Sequence, residues 1–161
     1  MDVFLETERL ILRRFTAADL DILVELDADP DVMFHITGGV PTSREATEED
    51  VLPAFHFRPA PGHPEDEPEL GYRLRKSAWG RGYATEGSIA LIDKGFAEFG
   101  VRRVVAEAML GNEASWRVME KAGMSRVRVF HQEWPYVIPG DEQGDVEYAI
   151  TRQEWLQRRP G

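Results

Sequence analysis

The chain has no cysteine among its 161 residues. That excludes disulfides, thiolate metal sites and a cysteine nucleophile, and it points to a reducing, intracellular compartment. Long apolar runs are missing as well. No window approaches the roughly 20 apolar residues of a membrane span, and the start, Met1-Asp2-Val3-Phe4-Leu5-Glu6, lacks the basic-then-apolar order of a secretory leader. A soluble cytoplasmic protein with no membrane partner is expected. Positive charge is scarce: 19 Lys and Arg face 29 Asp and Glu, and the net charge of -10 argues against broad binding to nucleic acid. Internal repeats and low-complexity linkers are also lacking. With 42% apolar residues the chain can bury an ordinary core, so one compact domain over residues 1–161 is expected.

What cations there are lie unevenly. Arg73, Arg75, Lys76 and Arg81 fall between Gly71 and Ala84 with no acid among them. The contrast fits a local anion site, and it equally fits a basic strand end beside an acidic surface.

Periodicity orders the elements. Residues 8–15 alternate as a strand covered on both sides. Thr16 then offers an N-cap, with Asp19 at the third helical position, for a helix reaching about Asp29 and stopped by Pro30. A second short helix is expected over 42–52. Five prolines between 53 and 68 make a loop, with one short strand over 54–58. Residues 69–74 alternate as a strand and enter Gly80-Arg81-Gly82, after which Ile89, Ile92, Phe96 and Phe99 mark a helix closed by Gly100. A strand over 103–109, a helix capped by Asn112 and ended by Gly123, and two antiparallel strands over 127–134 and 145–150 complete the chain. Strand, helix, strand, helix is a parallel crossover pattern.

Glycine between a strand and a helix lets the backbone approach a ligand, and the helix N-terminus presents unpaired N–H groups with partial positive charge. Such a turn suits phosphate, although a tight turn needs small residues whatever it binds. The nucleoside triphosphate loop pattern is missing, and Thr85 stands where a dinucleotide fingerprint has its third glycine.

Six stretches in order carry a wider resemblance: Glu8-Arg9-Leu10-Ile11-Leu12-Arg13, Glu69-Leu70-Gly71-Tyr72-Arg73-Leu74, Trp79-Gly80-Arg81-Gly82-Tyr83-Ala84-Thr85-Glu86, Asn112-Glu113-Ala114-Ser115, Met119-Glu120-Lys121-Ala122-Gly123-Met124 and Asp145-Val146-Glu147-Tyr148. Together they resemble the GNAT acetyltransferase superfamily, specifically its RimJ/RimL-like branch of ribosomal-protein N-terminal acetyltransferases. The resemblance implies an α/β (α+β) fold: a mixed, mostly antiparallel sheet with helices on both faces and a central splayed parallel strand pair. It implies acetyl-CoA as the cofactor. The amides around Trp79, Gly80, Arg81, Gly82, Tyr83, Ala84 and Thr85 would hold the pyrophosphate, and the pantetheine arm would lie along 69–74 as far as Leu74. Asn112 would bond that arm, or serve only as the helix cap. No metal is implied.

The implied reaction is direct attack of a primary amine, on a peptide N-terminus or a small molecule, in a ternary complex. Met119 stands where much of the superfamily has a proton-donating Tyr, and Ser115 matches the serine this branch uses to protonate the thiolate; Ser115 also reads as a cap partner. Glu69, Glu86 and Glu107 are the acidic candidates for the base, with Glu69 and Glu107 on the strands expected to border the cleft, and His56 and His131 as alternatives through water. The family's second and third strands are shortened here to the proline-rich 53–68. That leaves a sheet edge for a loop or a second copy to cover, hence the expectation of a homodimer. A non-catalytic acyl-CoA-binding module is the rival reading.

Overall fold

The computed structural model describes residues 1–51, 59 and 62–159. They fall into two compact units, one within Met1–His56, Arg73–Tyr83 and Glu133–Pro139, the other within Phe57–Tyr72, Ala84–Gln132 and Gly140–Gly161. The strand expected over 54–58, with His56, lies outside the described residues, as does Leu52 at the end of the second expected helix.

The first unit opens with a hairpin of β1 (Val3–Glu6) and β2 (Ile11–Arg13), paired antiparallel. The strand expected over 8–15 is therefore shorter, because Glu8 and Arg9 belong to the hairpin turn. That turn is closed by Thr7 N–H to the Leu10 carbonyl (2.9 Å) and by Leu10 N–H to Thr7 Oγ1 (3.0 Å). The capping signal at Thr16 holds. Asp19 Oδ2 accepts from Thr16 N–H at 2.7 Å, and a 3-10 turn (Ala17–Asp19) leads into α1 (Leu20–Ala28). Short helices α2 (Phe34–Thr37) and α3 (Arg44–Ala46) follow. Ser43 caps α3 by accepting from Ala46 N–H at 3.1 Å, and a π turn over Thr47–Val51 continues it.

The basic run is largely neutralised inside this unit. Arg73 pairs with Asp27 at 2.6 Å, and Asp27 is only 1% exposed. Arg75 pairs with Glu25 at 3.5 Å, and Lys76 with Asp31. Acids on α1 and just beyond it draw these side chains in, because a carboxylate as buried as Asp27 requires a cation partner. Of the two readings of the run, only Arg81 remains for an anion site; it makes no ion pair among the described residues.

The second unit holds α4 (Tyr83–Glu98) from Ala84 onward, β3 (Arg103–Met109), α5 (Glu113–Lys121), β4 (Ser125–Phe130), β5 (Asp145–Thr151) and α6 (Arg152–Arg158). The sheet order is β3-β5-β4, with both outer strands antiparallel to β5. β3 and β4 therefore run parallel to each other, joined through α5, with β5 inserted between them. Alternation along the strands separates two faces. Val104, Ala106, Val146, Tyr148 and Ile150 join Ile92, Phe96, Met119, Met124 and Trp155 in the main core. Phe96 and Trp155 stack with centroids 5.2 Å apart, and each fully buried large side chain there stabilises the fold by about 1.5–3 kcal/mol. The opposite face carries the small apolar pair Val105 and Ala149, with Glu107 and Glu147 beside it.

Several expectations are corrected. Of the four apolar positions assigned to α4, Ile92 and Phe96 are buried while Ile89 and Phe99 are 40% and 50% exposed, so the buried stripe is narrower. The strand expected over 127–134 is β4, two residues earlier at its start and ending at Phe130. Helix α6 was not expected, although Thr151 and Glu154 form a capping box: Glu154 N–H donates to Thr151 Oγ1 (3.2 Å) and Thr151 N–H to Glu154 Oε2 (2.8 Å).

The strand expected over 69–74 is reduced to one parallel bridge between Glu69 and Val105. It rests on Leu70 N–H to the Val105 carbonyl (2.8 Å) and Val105 N–H to the Pro68 carbonyl (3.1 Å). Beyond Leu70, the amides of Gly71 and Tyr72 donate to no backbone acceptor among the described residues. A parallel pair that forms and then stops is the expected splay.

Candidate active site

In the first unit the glycine turn is built for backbone exposure. A 3-10 turn (Lys76–Ala78) precedes it, and Trp79 Nε1 donates to the Leu74 carbonyl at 2.9 Å, which fixes the turn's entry on Leu74. Gly80 (φ 70°) and Gly82 (φ 79°) occupy the left-handed region, where an L side chain costs roughly 1–2 kcal/mol. Among the described residues the N–H groups of Gly80, Arg81 and Gly82 donate to no backbone acceptor. Helix α4 begins at Tyr83, so the N–H groups of Gly82, Tyr83, Ala84 and Thr85 have no intrahelical partner. The glycine turn, as far as Tyr83, offers a run of donors to an anion. A Cβ at Gly80 would meet nothing within 4 Å, so there is room beside the turn. The sequence alone does not connect this turn with Arg9, whose Nη1 donates to the Arg81 carbonyl at 2.8 Å and whose guanidinium lies 4.9 Å from the centre of the Tyr83 ring.

In the second unit Ser115 sits in the first turn of α5. Tyr72 reaches it across 43 residues of sequence: Tyr72 Oη donates to the Ser115 carbonyl at 2.7 Å and lies 3.1 Å from Ser115 Oγ. Burial holds the Tyr72 phenol above its ordinary pKa, offset in part by Ser115, so it stays protonated at neutral pH. No local pattern in the sequence pairs these two groups. Met119, 1% exposed, is locked in the core and leaves Ser115 as the hydroxyl on this helix. Asn112 occupies the N-cap, but its side chain makes no cap hydrogen bond; its backbone carbonyl accepts from Ser115 N–H at 3.1 Å instead. The expected side-chain cap is therefore corrected, because φ -84° and ψ 67° at Asn112 depart from usual cap geometry.

Glu69 and Glu107 come together on the charged face of the sheet, the face opposite the core that Tyr72 packs against. Burial pushes the Glu107 carboxyl above its ordinary range, and the charges of Glu69, Glu147 and Asp145 push it further, against a smaller opposing effect of Arg128. Glu147 lies directly opposite Glu107 on β5 and is held by Arg128 (3.0 Å) and Arg103 (3.7 Å). Glu107 thus has a raised proton affinity of the kind a base requires. Glu86 lies in the first turn of α4, and His131 is exposed at the end of β4. Among the described residues, no group of three His, Asp or Glu side chains is placed to hold a metal ion, and no helix is long and apolar enough to cross a membrane.

Comparison with known proteins identifies the family. Residues 54–125 match the model of the Acetyltransferase (GNAT) domain. YnaD of Bacillus subtilis, named an uncharacterized N-acetyltransferase, is 30% identical over 92% of this chain and 97% of its own length. The FsC-acetyl coenzyme A-N(2)-transacetylase of Aspergillus fumigatus is 40% identical over 57% of this chain, which spans 39% of that longer protein. Among solved structures, a GNAT-family acetyltransferase from Bacillus anthracis superposes with a TM-score of 0.74 at 27% identity, covering 95% of this chain and 99% of that one. With one relative matched at 30% identity over nearly its full length, the chain belongs to the GNAT acetyltransferases, enzymes that move an acetyl group from acetyl-CoA to an amine.

Proposed function

We propose that this chain acetylates an amine of low pKa, an α-amine of a peptide or a comparable small molecule, in the manner of the RimJ/RimL-like branch, with Glu107 as base and Ser115 as acid. The observation that carries the reading is the pairing of Glu107 with Glu69 on the charged face of the sheet, while Ser115 and Tyr72 lie on the core side. The bound cofactor supplies an acetyl thioester whose carbonyl carbon accepts the amine.

The chain's own groups then handle protons. Glu107, raised by burial and by its acidic neighbours, takes the proton that the attacking nitrogen sheds, and Glu69 supplies charge that keeps that affinity high. As the carbon–sulfur bond breaks, Ser115 Oγ gives its proton to the departing sulfur, and Tyr72 holds the serine by its two contacts. A thiol of pKa about 8.5 is a good leaving group, so the demand on this acid is modest. The demand on the base separates acceptors: an α-amine of pKa about 7.7–8.0 needs about 1 kcal/mol to be neutral at pH 7, whereas a lysine near 10.4 needs roughly 4.6 kcal/mol. One carboxylate with moderately raised proton affinity suits the former.

Cofactor binding is assigned in this proposal to Leu74, Trp79, Gly80, Arg81, Gly82, Tyr83, Ala84, Thr85, Asn112 and Ser115. The unpaired amides of the glycine turn fit a diphosphate, and those of Gly71 and Tyr72 fit the extended amide-bearing pantetheine arm. A single domain, a cytoplasmic location and a homodimer belong to the same proposal; β4, the sheet-edge strand exposed along nearly its whole length, is where a second copy would pair. Thiol release from acetyl-CoA, followed with a panel of peptides and of small amines of graded pKa, tests the function. Turnover should favour acceptors with pKa below about 8.5 on the reference scale. Tight CoA binding with no turnover for any amine would instead identify a non-catalytic acyl-CoA-binding module.

A further inference from the structure

Arg9 lies in the turn of the β1–β2 hairpin, a turn held by its own hydrogen bonds between Thr7 and Leu10. From that anchored position its side chain reaches the glycine turn 72 residues later, donating from Nη1 to the Arg81 carbonyl at 2.8 Å and stacking over the Tyr83 ring at 4.9 Å. The peptide joining Arg81 to Gly82 is trans, as are all peptides described. In a planar trans peptide the carbonyl of one residue and the N–H of the next point in opposite directions. Fixing the Arg81 carbonyl towards Arg9 therefore fixes the Gly82 N–H on the opposite side of that peptide. A cation bonded to the carbonyl also polarises the peptide and strengthens that N–H as a donor. The glycine at 82 is fitted to this contact: φ is 79°, and a Cβ would come 3.3 Å from Arg9 Nη2.

We infer that Arg9 is a positioning residue that holds the Arg81–Gly82 peptide in its anion-accepting orientation, so that diphosphate affinity depends on a hairpin far away in sequence. The inference rests on the proposed assignment of the glycine turn to the cofactor's pyrophosphate. Its effect is confined to ligands that carry the diphosphate, because Arg9 acts on one peptide of the turn. A guanidinium is suited to the task, since its flat fork bonds the carbonyl and covers the ring together, which an ammonium cannot do.

The test compares the full-length protein with Arg9→Met and Arg9→Lys, using acetyl-CoA and S-acetyl-pantetheine, which lacks the diphosphate, as donors. Loss of one charge-assisted hydrogen bond should weaken CoA binding by about 10- to 100-fold in Arg9→Met, measured by calorimetry. kcat/KM with S-acetyl-pantetheine should stay within about twofold, since that donor makes no call on the diphosphate contacts. Arg9→Lys should recover only part of the loss. In parallel, titration with inorganic pyrophosphate should shift the Gly82 amide proton downfield in the wild type and by less in Arg9→Lys. Equal losses with both donors would mean that the hairpin merely supports the fold, and full rescue by lysine would mean that charge alone matters; either overturns the inference. Unchanged CoA affinity in Arg9→Met overturns it too. If the wild type itself fails to bind CoA, the assignment of the turn falls first, and the role of Arg9 falls with it.

Discussion

On the proposed reading, the glycine turn at residues 79–83 and the acidic row on β3 and β5 would solve different chemical problems with different parts of the chain. At the turn the proposed working groups are backbone N–H donors, presented because Gly80 and Gly82 adopt positive φ and because a helix starts immediately afterwards. Side chains such as Trp79 and Arg9 shape that surface by binding carbonyls, those of Leu74 and Arg81. On the sheet the proposed working group is a side chain, Glu107, whose proton affinity is raised by burial and by neighbouring carboxylates on other strands. Backbone recognition suits a diphosphate of fixed shape and charge. A tuned carboxylate suits a proton whose affinity varies from one amine to the next. The cofactor end of the reaction should therefore tolerate most side-chain changes and no loss of glycine, and the acceptor end should show the reverse.

The sharpest way to break that contrast is Gly82→Val. Its β-branched side chain is strained at φ 79°, meets Arg9 and displaces the amide. CoA affinity should fall by about 100-fold or more from the summed strain and lost donor, read by calorimetry. Should Gly82→Val bind CoA like the wild type, the backbone is not the anion receptor. Next in size is Glu107→Gln, which should lower kcat/KM by roughly 10- to 100-fold, the low end of general-base effects. CoA affinity should not change.

The pH dependence of that second variant follows from the raised carboxyl of Glu107. Activity needs the ionised form, so the acid limb of kcat/KM should lie above the ordinary glutamate value and vanish in Glu107→Gln. Stability has the opposite sign. A carboxyl raised in the folded state favours the fold below its unfolded pKa, and that contribution is lost as pH rises through the folded value. Ionised Glu107 therefore works against the fold at neutral pH, and Glu107→Gln should melt no lower than the wild type. A variant that loses activity without losing stability separates a functional carboxylate from a structural one, and a lowered melting temperature would place Glu107 with the structural acids.

The two regions also differ in how far they could be read from sequence. Gly80 and Gly82, the Thr16–Asp19 capping pair and the bounds of β3 rest on local rules, and the structure has them where those rules place them. What could not be read is tertiary. The cations of residues 73–76 fit either an anion site or a basic strand end beside an acidic surface, because nothing in the local run shows that Asp27, Glu25 and Asp31 turn back onto them. Tyr72 and Ser115 meet across 43 residues, and Arg9 and Arg81 across 72. The strand over 69–74 alternates as a strand should, yet after Leu70 it leaves the ladder; alternation reports which faces are apolar and not whether a neighbour continues to pair. Helix α6 was legible in principle, since Thr151 followed by Glu154 is a capping signature.

Ser115→Ala ranks third, with an expected fall in kcat of about tenfold, because a thiolate leaves with little help. The loss should be largest for amines at high pH, where free protons cannot replace the donor. Tyr72→Phe should reproduce part of it by releasing the serine from the contact at 3.1 Å.

The smallest effect sharpens the comparison most, because Asn112 could belong to either kind of site. If its side chain were a helix cap, Asn112→Ala would cost about 1 kcal/mol of stability. In the structure that side chain makes no cap hydrogen bond, whereas Thr151 at the start of α6 does, accepting from Glu154 N–H. Thr151→Ala is thus the internal standard for a true cap. Asn112→Ala should leave the melting temperature unchanged while Thr151→Ala lowers it by the equivalent of about 1 kcal/mol. Asn112→Ala should in turn raise KM for acetyl-CoA by roughly fivefold, the worth of one neutral hydrogen bond, with Thr151→Ala unaffected. If the two variants instead melted alike and bound acetyl-CoA alike, Asn112 would be a structural residue, and the pantetheine arm would be held by backbone alone.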